Sequence, residues 1–276
     1  MSACSAKTFA APTGMPMPTP TMSPTPLSPT SLPLASPTPA LPSYWEEALP
    51  GLLVREMVIP ASGKSDEARA VVVRLDPQRF LIRVIYQPDQ PRQVSAWRQS
   101  SGALVTINGG FFQADHTTAG LIISAGDASG VSFDQTIGPE TAPGMFSVTN
   151  GVPNIRDLNE RAYDPKIDEL DEAVQGFPIL IRDGAPGQFT LPDRVAWRTV
   201  VGLDSKGNVY LINISRGEVS LVRLGNWLSN ESGLGLTAAL NLDGGPSSGM
   251  VIHAGNVSAA LDSISSVPSV IAVFPR

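Results

Sequence analysis

"TAALNLDGGPSSGMVIH", residues 237–253, sets two apolar runs on either side of a segment that cannot fill a core. From Asn241 to Met250 it holds one carboxylate, three glycines, two serines and one proline. The flanking runs are short, apolar and bounded by turn residues, and they read as strands. A simple hairpin would join them with two residues, so the longer loop needs another explanation. Its glycines leave backbone N–H groups open and Ser247 and Ser248 add hydroxyls, which suits phosphate or sugar oxygens, with Asp243 at the rim. The alternative is an Asp-Gly turn continued by serines that cap their own backbone.

Working outward, runs of strand length recur between Gly, Pro, Asn and Asp residues: "ARAVVVRL", "FLIRVIY", "ALVTIN", "GLIIS", "GMFSVTN", "FPILIRD", "RTVVGLD", "NVYLINI" and "SVIAVF". Helical spacing, with apolar residues three or four apart, marks three windows near residues 92–100, 165–174 and 219–230. The pattern predicts an α+β fold, strand-rich, with mixed β-sheets and helices packed on them, in a single domain over residues 43–276.

Residues 12–42 carry 11 of the chain's 26 prolines and no charge, so residues 1–42 read as an extended Pro/Thr/Ser-rich tether. The lone cysteine, Cys4, rules out a disulfide framework and a Cys-based metal cluster. Its setting, "MSACSAK", is similar to the tail of a bacterial lipoprotein cleavage box, which requires an apolar signal segment ahead of it. Lipidation there would place the domain outside the cytoplasm, cell-surface or secreted, touching a membrane only through its anchor; the alternative is a free thiol in a tail. The 276 residues, 42% of them apolar, suffice for a real core. With 19 basic against 25 acidic residues, the net charge of −6 lacks the footprint that attracts nucleic acid.

Other stretches add polar groups. "TINGGFF" ends a strand in Asn108, Gly109 and Gly110, read either as a ligand approach or as a tight turn closed by Phe111 and Phe112. "WRTVVGLD" puts Arg198 and Thr199 at the start of a strand, and an arginine fork there could bind phosphate. "DSKGN" and the Asp183-Gly184 pair read as turns. The two histidines, His116 and His253, follow the two glycine-rich segments; they make a weak metal pair, and a serine nucleophile would need an orienting acid.

In this order and spacing, "NGGFF", "GLIIS", "QGFPILIRDG", "RTVVGLD" and "LNLDGGPSSGM" resemble the phosphodiester glycosidase family, over roughly residues 69–274. The resemblance implies one cavity gathering the three polar segments and hydrolysis of a sugar-1-phosphodiester, the sugar being N-acetylglucosamine or part of a cell-envelope glycan. It implies catalytic Asp243, Arg198 and Asn108. Gly109, Gly110, Thr199, Asn241, Gly244, Gly245, Ser247 and Ser248 would bind substrate, with His116 added from its position. The partner is a carbohydrate or sugar-phosphate; no cofactor is implied, and a divalent cation beside Asp243 stays open. Where the family most often has a third glycine, this chain has Pro246, which cannot donate an N–H. That favours the alternative of a non-catalytic carbohydrate or cell-envelope binding module.

Overall fold

The computed structural model describes residues 41–276; residues 1–40 of the expected tether, Cys4 among them, lie outside the described residues, whereas Leu41 is buried in the core and the Pro42 carbonyl accepts the Glu56 N–H at 2.7 Å. Three sheets form the body. The eight-stranded sheet runs, in spatial order, Glu46–Leu49, Leu52–Ile59, Ala68–Leu75, Val209–Val219, Ala196–Asp204, Leu236–Asn241, Ile179–Arg182 and Ala185–Pro186. One five-stranded sheet runs Asp127–Ser129, Ile122–Ser124, Glu172–Gly176, Gly144–Thr149 and Val152–Asp157. The other runs Val257–Leu261, Met250–Ala254, Val105–Asn108, Ser269–Pro275 and Phe80–Tyr86. The strand-rich character expected from the sequence is present, and each run quoted above contains a strand.

The sheets are not mixed: every named pairing among the described residues is antiparallel. Parallel neighbours need a long crossover, and many of the paired strands here are joined by turns of two to four residues. The Asp204–Asn208 turn is typical. The Asp204 carboxylate accepts the N–H groups of Lys206 and Asn208 at 2.9 Å each, as the "DSKGN" reading anticipated. One crossover within the large sheet is carried by a helix. Helix α2, Leu221–Asn230, joins Val209–Val219 to Leu236–Asn241, which run the same way on either side of Ala196–Asp204.

Strand alternation divides the core. Val71, Val73, Leu211, Val201 and Leu240 turn one face of the large sheet toward Ile82, Ile107 and Ile271 of the neighbouring sheet. Val72, Ile212, Val200 and Leu180 turn the other face toward Leu224, Trp227 and Leu228 of α2. The run "VVV" is therefore apolar throughout because both faces are covered. Ser220 caps α2 by accepting the Arg223 N–H at 3.2 Å. The other helix, α1 (Val94–Ser101), buries Val94 and Trp97 and ends on Gly102 in the left-handed region.

The helix expected over residues 165–174 is absent. A single turn forms at Asp164, whose carbonyl accepts the Asp168 N–H at 2.8 Å. Tertiary partners then take the acidic side chains: Asp168 receives Arg156 Nη1 on both oxygens at 3.0 Å, and Glu172 accepts Arg83 Nη1 at 2.9 Å and the Val84 N–H at 2.8 Å. Glu172 is only 2% exposed, and these bonds extend its segment as the strand Glu172–Gly176.

Candidate active site

Strand ends from all three sheets converge on the segments that the sequence singled out. Asn108 closes Val105–Asn108, Arg198 and Thr199 open Ala196–Asp204, Asn241 closes Leu236–Asn241, and Gly176 closes Glu172–Gly176. The Leu242 N–H donates to the Thr199 carbonyl at 2.8 Å, and the Asp243 N–H donates to the Gly109 carbonyl at 3.3 Å.

Asn108 is the joint. Its Nδ2 donates to the Asp243 carbonyl at 2.8 Å and to its neighbour Gly109 at 3.4 Å. Its Oδ1 accepts the Thr199 hydroxyl at 2.7 Å and the Gly249 N–H at 3.1 Å. A carboxamide offers two protons and two lone pairs, so all four are spent, and the residue is 0% exposed. Asn108, expected to be catalytic, is thus wholly engaged in holding the loop. Thr199 has one proton, given to Asn108, so the 3.1 Å contact between Thr199 and Ser248 is donated by Ser248. Thr199 and Ser248 are also fully buried, which makes them part of the same scaffold and leaves Ser248 no access as a nucleophile.

Nor is the Asn-Gly pair a hairpin turn. Gly109 and Gly110 lack positive φ. A Cβ on Gly109 would strike the Ser269 hydroxyl, and one on Gly110 would lie 2.9 Å from the Gln175 carbonyl oxygen. Close approach of chains, rather than turn geometry, demands glycine there. Gly176 is tighter still, its Cβ position colliding with the Asn241 carbonyl oxygen. Gly176→Ala should cost about 2 kcal/mol or more, since backbone rather than a pliable side chain must yield; an unchanged thermal midpoint would argue against this packing.

The loop after Leu242 carries the acid. Asp243 Oδ1 accepts the Gly244 N–H at 2.9 Å, and residues Gly245–Ser247 form one 3-10 turn. Burial pushes the Asp243 carboxyl up to about 6, against opposing hydrogen bonds from the Ser247 hydroxyl and the Gly244 N–H. No cation pairs with it among the described residues. Pro246 occupies the first turn, where an N–H lacks a helical partner anyway, and its carbonyl accepts the Ile264 and Ser265 N–H groups at 2.8 and 3.0 Å.

Beside the loop lies a cleft of about 360 Å³. Asn241, Gly244, Arg198, Arg194, Phe111 and Phe177 are among its walls, with Leu191, Pro192 and Leu221. Asp243 stands one residue behind the Gly244 wall. Phe111 and Phe177 stack at 4.5 Å with an interplanar angle of 22°. Asn241 is 3% exposed; its Nδ2 donates to the Phe177 carbonyl at 2.8 Å, while its Oδ1 has no protein partner. Arg198 donates Nε to the Val219 carbonyl at 3.0 Å and Nη2 to the Arg194 carbonyl, and desolvation lowers its pKa.

His116 does not join this group. It stacks on Phe112 at 5.6 Å, in the left-handed region, away from the cleft walls. His253 points outward from its strand, so a Ser-His pair does not form. Sequence reasoning missed Phe177 and Arg194: the first was absorbed in a strand, the second in an unremarkable loop. Among the described residues, no group of three His, Cys, Asp or Glu side chains is placed to hold a metal ion.

The cleft thus combines a glycine loop with an acid of raised pKa behind it, two arginines and an aromatic pair. A family model described as phosphodiester glycosidase matches residues 101–274, and the chain belongs to that family. No curated protein matches the chain. Among solved structures it is similar to the zebrafish N-acetylglucosamine-1-phosphodiester alpha-N-acetylglucosaminidase catalytic domain, auto-inhibited by its pro-peptide. That match has 15% identity and TM-score 0.62, covering 86% of this chain and 87% of that one. It is also similar to a hypothetical protein from Synechocystis, at 15% identity and TM-score 0.63, spanning 86% of this chain and 64% of that one. These likenesses show a shared fold.

Proposed function

We propose that the protein hydrolyses a sugar-1-phosphodiester at the anomeric carbon, with Asp243 as its acid–base group. The observation that carries this reading is the Asp243 carboxyl itself, buried without a cationic partner at the start of the loop whose next residue, Gly244, walls the cleft, and raised by that burial to about 6. Above that pH it is an unneutralised carboxylate, poised to take a proton from water or to face a cationic centre. Water would attack the anomeric carbon as the bond to the phosphate oxygen breaks with its electron pair. A phosphate monoester leaves without needing a second acid to protonate it, so one carboxylate suffices where glycosidases ordinarily use two. Arg198 keeps Nη1 for a phosphoryl oxygen, Asn241 Oδ1 accepts a sugar hydroxyl or amide proton, and the Phe111–Phe177 pair faces the ring.

A binding module without chemistry draws support from Pro246 and from the shortage of a second acid. Pro246 is exposed, sits where its missing N–H costs nothing and lies outside the cleft walls, and a phosphate leaving group has no need of the second acid; both points favour hydrolysis. Incubation of the protein with a panel of sugar-1-phosphodiesters tests the reading. Release of free sugar is expected, and Arg198→Ala should raise KM by about tenfold or more through loss of a charge-assisted hydrogen bond. Ligand retained without product would overturn hydrolysis.

A further inference from the structure

We propose that the mouth of the cleft holds a second anion position, formed by Arg194, that takes a phosphate or carboxylate on the leaving portion of the substrate. The inference rests on the sugar-phosphodiester reading of the cleft and narrows it to substrates whose aglycone is itself anionic.

Arg194 stands apart from every other arginine among the described residues. The others commit their guanidinium groups to ion pairs, hydrogen bonds or an aromatic ring. The Arg194 side chain does none of these; only its backbone bonds, through an N–H to the Pro192 carbonyl at 2.9 Å and a carbonyl that receives Arg198 Nη2. It is exposed and forms part of the cleft wall. A solvated loop arginine is the commonplace alternative, but this one is held beside Arg198 by a direct hydrogen bond from that residue.

Arg198 alone is a limited anion partner. It spends Nε and one Nη2 proton on backbone carbonyls, so two of its five N–H groups are already committed to the protein and the rest serve one phosphoryl group. The single phosphodiester charge is matched by that one guanidinium cation. Arg194, with its whole fork open, supplies what a second negative group requires. Asp193 and Glu218 also act on Arg198, yet neither lines the cleft, so the charges in the cleft wall are the two arginines, on a protein whose net charge is −6. The narrowed class is therefore a sugar phosphodiester whose far side bears another phosphate or carboxylate, as in a pyrophosphate link or a phosphate-bearing polymer.

Calorimetric titration with inorganic pyrophosphate and with inorganic phosphate reads this position without turnover. The intact protein should bind pyrophosphate about tenfold or more tightly than phosphate, on the scale of one charge-assisted hydrogen-bonded contact. Arg194→Ala, an exposed change that leaves the core untouched, should erase the preference while phosphate binding persists; Arg194→Lys should restore part of it. Equal affinities in the intact protein, or an undiminished preference in Arg194→Ala, would overturn the second position. If the preference holds but no sugar-1-phosphodiester yields product, hydrolysis fails and the anion position stands. Turnover without the preference removes the anion position and leaves hydrolysis in place.

Discussion

Asp243→Asn should reduce hydrolysis of a sugar-1-phosphodiester by about a thousandfold, the scale of a positioned acid–base group, while the fold persists. The same carboxyl sets the pH dependence. Since burial raises it to about 6, activity that needs the carboxylate should climb as pH passes that value and then level off. Stability should move the other way. A folded-state pKa above the unfolded 3.8 means that the native protein holds the proton more firmly, so stability declines as pH rises from about 4 to about 6. Above that window the ionised carboxyl costs at most about 3 kcal/mol, and a neutral amide escapes the cost. Asp243→Asn should therefore be less active yet more heat-resistant at pH 8, the gain vanishing below pH 4. Thermal unfolding at the two pH values checks this. A variant that is both active and no more stable would remove Asp243 from its assigned part.

The second large effect concerns Asn108. Asn108→Ala would strand the Thr199 hydroxyl, the Gly249 N–H and the Asp243 carbonyl in a region closed to water. At about 1–3 kcal/mol for each orphaned group, with partial relaxation, the loss should reach about 3–5 kcal/mol. The thermal midpoint should fall on the order of 10 °C for a domain of this size. Urea unfolding should show the midpoint drop with little change in slope. A loss below about 1 kcal/mol would mean that the three segments are held by something else.

Both effects could be approached from the sequence, but only partly. The polar segments were visible because glycine, serine and asparagine in those runs have no packing role. Composition shows what a side chain can bond, not whether its bonds are already spent. Asn108 therefore looked catalytic until its four hydrogen bonds were counted, and Asn241, of the same residue type, keeps a free acceptor. The strand Leu52–Ile59 escaped notice because Arg55 and Glu56 interrupt its apolar pattern. Glu56 is satisfied by Arg69 and Arg216, partners that only the assembled sheet supplies. Glu172 likewise imitated a helical acidic face, although its partners lie 88 and 89 residues away. Arg194 drew no attention because an unpaired arginine differs from a paired one only in three dimensions.

The Ser269–Pro275 strand lies between Phe80–Tyr86 and Val105–Asn108, with Val270 paired to Asn108 itself. Met250–Ala254 pairs with the other edge of Val105–Asn108, so the asparagine that ties the three polar segments together is carried on a strand clamped from both sides.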